Sequence, residues 1–125
     1  MTGLFKPLGK FMVALVALLH TGFMIMEIFF WTHPVTLRAF DLTLELAENT
    51  GKLALNQGLY NGFLVAGLLW GLIAKKRDVQ IFFLLCVIVA GIFGALTVKP
   101  TIFFVQAVPA IIALACVMLS RKTSV

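Results

Sequence analysis

Four apolar stretches, roughly Phe11 to Trp31, Leu53 to Ala74, Gln80 to Val98 and Thr101 to Ser120, fill most of this 125-residue sequence with only short breaks between them. A soluble domain of this length leaves much of its surface in water and could not hide so many apolar side chains. Hydrophobic residues make up 62% of the chain and charged ones 12%, and the mean hydropathy is +1.08, far from soluble averages. The bilayer is the expected solvent. At about 20 residues per helical span there is room for four spans and little else. The predicted class is an all-α membrane protein, a single four-transmembrane-helix bundle over residues 1–125. A single-chain barrel would need alternating apolar and polar residues, and these are missing.

The charges predict an orientation. Lys6 and Lys10 precede the first stretch, Lys75, Lys76 and Arg77 separate the second and third, and Arg121 and Lys122 follow the fourth. The opposite side holds only Arg38, Lys52 and Lys99, offset by Asp41, Glu45 and Glu48. Positive residues collect in the cytoplasm, so both termini are expected there, in a multi-pass plasma-membrane protein. The net charge of +5 is read as a topology signal with some attraction to membrane lipids, not as nucleic-acid binding. Lys6 and Lys10 followed by Phe11 to Leu19 resemble the start of a signal peptide. Apolar character continues to Phe30 without a well-placed cleavage site, so retention as a span is expected.

The longest connection, Thr32 to Lys52, carries a proline break at His33-Pro34 and then a helical pattern from Thr36 to Asn49. Arg38, Asp41, Glu45 and Glu48 fall on one stripe of it, and leucines and Phe40 cover the rest. It predicts a short extracytoplasmic amphipathic helix, either an interfacial anchor or a lid over a cavity. Gly58, Gly62 and Ala66, and likewise Gly91 and Ala95, repeat at helical spacing. Such small-residue faces pack helices closely, within the bundle or between subunits of a homo-oligomer.

Polar residues inside the stretches gather toward the outer end. Glu27 lies about one turn, ~6 Å, from the end of the first helix, and Gln106 ~7 Å below the start of the fourth. Asn56 and Gln57 match that depth on the second helix, Tyr60 and Asn61 lie one turn deeper, Thr97 closes the third, and His20 sits near mid-membrane. Asn56, Gln57, Tyr60 and Asn61 are expected on a face opposite Gly58 and Gly62, while His20, Met24, Glu27 and Trp31 form a stripe on the first helix. If both stripes point inward they line a pocket of the usual kind, apolar with a few convergent polar groups.

Each residue also has a plainer reading. Glu27 is either an interfacial carboxylate or a partly desolvated acid placed to exchange a proton. His20 is a hydrogen-bonded structural residue or a catalytic one, and the amides bond across helices or orient a ligand. Trp31 and Tyr60 could be membrane-belt aromatics. His20 and Glu27 are ~10.5 Å apart along the helix, too far for a direct dyad and too few ligands for a metal. No cofactor fingerprint occurs. Cys86 and Cys116 are expected as buried free thiols near the cytoplasmic ends, away from the cluster.

The run from Asn56-Gln57-Gly58-Leu59-Tyr60-Asn61-Gly62-Phe63-Leu64 through Ala66-Gly67-Leu68-Leu69-Trp70 resembles the core motif of the DUF1304 family of small integral membrane proteins. His20 with Glu27 and Trp31, Cys86-Val87-Ile88-Val89-Ala90-Gly91, and Phe104-Val105-Gln106 with Pro109-Ala110 extend the likeness over essentially the whole chain. The resemblance implies a four-span membrane protein and carries no activity. Three functions stay open: an outer-leaflet pocket for a lipophilic or amphipathic molecule, with acid–base chemistry at Glu27; a dimeric proton-coupled exporter; and a structural or regulatory membrane subunit. Glu27 with His20 is the catalytic candidate, and Trp31, Asn56, Gln57, Tyr60, Asn61 and Gln106 are the ligand-binding candidates.

Overall fold

A computed structural model of the chain describes residues 2–120 and is all-helical over them. The predicted basic pair Arg121 and Lys122 lies outside the described residues. α1 runs from Thr2 to Phe29, starting well before Phe11. Pro7 is tolerated because it falls early in the helix, where its missing N–H forfeits a single bond near the fraying end. α4 (Gly51–Ile73) and α5 (Arg77–Thr97) follow the sequence expectation closely. The last stretch begins as a π-helical turn, Phe103–Ala107, that runs directly into α6, Val108–Leu119. Pro109 accounts for the wide turn: it has no N–H for the Val105 carbonyl and its ring crowds that carbonyl.

Between α1 and α4 the expected single helix is two. α2 (Pro34–Phe40) is capped by the His33 side chain and starts on Pro34, the residue best suited to a first helical position. It stops at Asp41, whose left-handed backbone (φ 56°) lets the Asp41 and Leu42 N–H groups close back on Arg38 and Leu37. α3 (Leu44–Asn49) restarts on Thr43, whose hydroxyl accepts from the Leu46 N–H at 3.1 Å. Local capping thus overrides the continuous periodicity, and Arg38 and Asp41 do not lie on one continuous helix with Glu45 and Glu48.

Two helices, Gly3–Phe29 and Arg77–Thr97, are long and apolar enough to cross a membrane. α4 has comparable length, 23 residues, but its first half carries Asn56, Gln57 and Asn61. α1 packs against α4 and α6, and α5 packs against α4, α6 and the π turn. The packed core, built on Val13, Val16, Leu68, Leu84, Val87 and Ala113, lies in the half of the molecule away from α2 and α3. Large apolar side chains also point outward, among them Leu18, Phe29, Phe93, Leu96 and Phe104. So broad an exposed apolar surface is foreign to soluble monomers.

Arg77 ties the closed end together. Its guanidinium donates to the carbonyls of Val117 and Met118 at 3.3 and 2.9 Å, satisfying the last turn of α6 and opposing its dipole. Arg77→Ala is expected to cost about 1 kcal/mol, read as a lower unfolding midpoint in detergent. An unchanged midpoint would show the contact to be idle.

Candidate functional site

Where the core ends, toward α2 and α3, the helices leave an open cleft of about 1030 Å³. That is at the upper end of the range for small-molecule sites, roughly 300–1,000 Å³. Its walls come from α1, α2, α4, α5, the connection after α5 and the π turn.

Glu27 and Asn61 form the polar centre. Both are buried, at 6% and 4% exposed, and Asn61 Nδ2 donates to Glu27 Oε1. Asn61 is the carboxyl's only side-chain partner among the described residues, so the second oxygen is left to the cleft. Gly58 makes this pairing possible. A Cβ there would lie 2.5 Å from Ile28 Cγ1 and 3.2 Å from Glu27 Cβ, so α4 reaches α1 only because position 58 has no side chain.

This corrects the face assignment. Positions 58 and 61 are three residues apart, about 60° around a helix, and both turn toward α1 rather than to opposite sides. Gly62 likewise sits against Met24. Within the chain, the Gly58–Gly62 face is occupied by α1.

Of the ligand-binding candidates, Trp31, Gln57, Tyr60, Asn61 and Gln106 line the cleft together with Glu27. Trp31 is held by its Nε1 donating to Thr50 Oγ1 at 3.1 Å and by the edge of Phe40, centroids 5.2 Å apart. Phe40 also meets Phe23, so three aromatic rings close the α1–α2 side. Tyr60 lines the mouth while remaining 55% exposed, and Gln106 is set in the π turn, a distortion common at functional sites.

Two candidates fall elsewhere. Asn56 is exposed and does not line the cleft; one residue before Gln57, it is turned about 100° away from it. His20 is buried on the core side, its Nδ1 donating to the Val16 carbonyl at 2.9 Å and its ring edge-on to Phe23, while Nε2 has no partner. It does not line the cleft with Glu27.

The sequence reading missed Cys86 and Lys99. Cys86, expected to lie away from the cluster, lines the cleft floor. The signal was present: Cys86, Ala90, Phe93, Gly94 and Thr97 follow the helical stripe i, i+4, i+7, i+8, i+11, and all line the cleft. Both thiols are free. Lys99 comes from the connection after α5, and among the described residues only it and Glu27 bring ionisable acidic or basic side chains to the lining. Among the described residues no cluster of side chains suited to a metal ion occurs.

The fold therefore defines an all-helical, membrane-associated protein, with a cleft gathering one carboxyl, several amides and an ammonium at one end. The chain belongs to the DUF1304 family, described as proteins of unknown function, which it matches over residues 14–118. The uncharacterized protein YpaA of Lactococcus lactis is 32% identical over 104 residues, spanning 80% of this chain and 87% of its own. No solved structure matches the chain. The matched stretch includes every residue that lines the cleft.

Proposed function

We propose that this is a four-span plasma-membrane protein with cytoplasmic termini, whose cleft binds a small lipophilic or amphipathic molecule in the extracytoplasmic leaflet. The observation that carries the reading is the buried Glu27–Asn61 pair set in an otherwise largely apolar cleft walled by several helices. A buried carboxyl is costly to keep away from water, and cross-helix glue needs no open volume beside it. At 28 residues α1 would extend ~42 Å, longer than the ~30 Å hydrocarbon layer, leaving Lys6 and Lys10 among headgroups. The π turn and α6, 5 and 12 residues long, together reach the lower limit for a span, about 17 residues.

In this reading Glu27 and Asn61 orient the ligand's polar end, with Gln57 and Gln106 beside them, and the aromatic wall takes its apolar part. Binding without turnover is favoured because His20 stands outside the cleft and gives Glu27 no partner for moving protons. Exporter function draws no comparable support: a second path would have to cross the half in which Val13, Val16, Leu68, Leu84 and Val87 are fully buried. A purely structural subunit would have no use for the open volume.

Mass spectrometry of what copurifies with the protein tests the reading. Wild type is expected to retain a lipophilic molecule and Glu27→Gln to retain about tenfold less, with little change in unfolding midpoint. Equal retention by the two proteins, or none by either, would sink it.

A further inference from the structure

α4 and α5 touch at one end and part at the other. At the closed end Gln80 Nε2 donates to the Gly71 carbonyl at 2.9 Å, and a Cβ on Gly71 would meet the Gln80 backbone nitrogen at 2.9 Å. One turn on, the Phe83 ring rests directly on Gly67. Toward α2 and α3 the same helices present Tyr60 and Phe63 on one side and Ala90 and Phe93 on the other. All four line the cleft and are exposed. With lining side chains contributed by both helices past their close contact, the cleft extends into the opening between α4 and α5. With the helices in a bilayer, that opening faces hydrocarbon.

The end of the cleft beyond this gap is different. Thr97, Lys99 and Thr101 line it, and the Thr97 hydroxyl is already committed to the Phe93 carbonyl at 2.7 Å. Lys99 is half-buried, and among the described residues its ammonium has no hydrogen-bond or ion-pair partner. A cleft-lining ammonium without a counter-charge favours an anion beside it. One end of the cleft thus offers a cation at the depth of the helix ends. The other offers an aromatic gap toward lipid.

We propose that the ligand is a membrane amphiphile with an anionic headgroup, which enters sideways between α4 and α5 and places its headgroup at Lys99 and its chain between the aromatic rings. Glu27 Oε2 then accepts a hydrogen bond from a hydroxyl or amine near the head. This rests on the binding reading above and adds the route and the charge of the ligand.

Fluorescence quenching tests it, because Trp31 lines the cleft and Trp70 does not. The full chain carrying Trp70→Phe is placed in phosphatidylcholine vesicles and titrated with dibrominated stearate, or with a quaternary ammonium bearing the same dibrominated chain. Saturable quenching of Trp31 by the anionic probe is expected, and not by the cationic one. Ala90→Phe, a bulky but non-reporting change at an exposed cleft-lining position, should abolish the saturable phase while leaving the unfolding midpoint in place. Lys99→Ala should weaken the anionic probe about tenfold, and Lys99→Glu should reverse the preference. Lys52→Glu, an equal charge change outside the cleft, should do neither.

Equal quenching by the two probes, indifference to Ala90→Phe, or the same response to Lys52→Glu would overturn the proposal. A copurifying molecule that depends on Glu27 while any of those results holds leaves the binding reading standing and removes only the route and charge. No saturable quenching and no copurifying molecule removes both.

Discussion

Asn61→Leu is expected to destabilise the protein by about 2 kcal/mol, the cost of leaving a buried polar group without its partner. Glu27 is 6% exposed and Asn61 is the donor that holds it. Leucine fills a similar volume but gives the carboxyl nothing, and the residual water at the cleft wall satisfies it only in part. The larger penalties known for buried charges in soluble proteins do not carry over, because helices separated within a bilayer still find partners for their polar groups. The double variant Glu27→Leu with Asn61→Leu removes both halves of the pair and should recover most of the loss, as apolar replacements of matched polar pairs do. Unfolding midpoints of the four proteins in one detergent provide the cycle. If the double variant is as unstable as the sum of the singles, the pair is not a coupled unit and Glu27 is satisfied some other way. Ligand retention should fail in all three variants, including the double variant whose stability returns, which separates binding from packing.

Gly91→Ala should also destabilise the protein, for a steric reason. A Cβ at position 91 would lie 2.7 Å from the Ala107 backbone nitrogen and 2.9 Å from its Cβ. No rotamer change relieves a clash with backbone, so α5 must move away from the π turn. Overpacking of this kind costs about 1–3 kcal/mol, set against a gain of up to about 1 kcal/mol from the better helix propensity of alanine. A net loss of about 1 kcal/mol is expected, together with weaker ligand retention, since the π turn carries Gln106 and the preceding connection carries Lys99 into the cleft. Gly22→Ala is the matched control. Position 22 lies within α1 and a Cβ there meets nothing within 4 Å, so it should be neutral or stabilising. If the two variants melt alike, the close approach of α5 to the π turn has no energetic weight.

These expectations place the specificity of the fold in a few contacts around the cleft, whereas the rest of the helical surface is apolar and interchangeable. Surface leucines such as Leu96, 82% exposed, can change among apolar types with little effect on either packing or binding. Glu27, Gly58, Asn61 and Gly91 cannot, because each meets a particular atom on another element.

Sequence alone determined what depends on neighbours along the chain. Apolar run lengths placed the long helices, His33-Pro34 ended the first of them, and depth counted along each run put Glu27, Asn61 and Gln106 at the same end. The family likeness was legible for a related reason: the Asn56-to-Phe63 run is one continuous piece of helix. Tertiary structure decided everything that depends on how helices are turned against one another. It set Gly58 and Asn61 together against α1, turned Asn56 outward, left His20 among core residues, and brought Cys86 and Lys99 to a cleft shared with Glu27. Helical periodicity gives the angle between two residues of one helix, but the rotation of that helix relative to its neighbours comes from which side chains interlock. In this chain the missing side chains at Gly58 and Gly91 set that rotation, through contacts with residues at positions 28 and 107 that no local pattern connects to them.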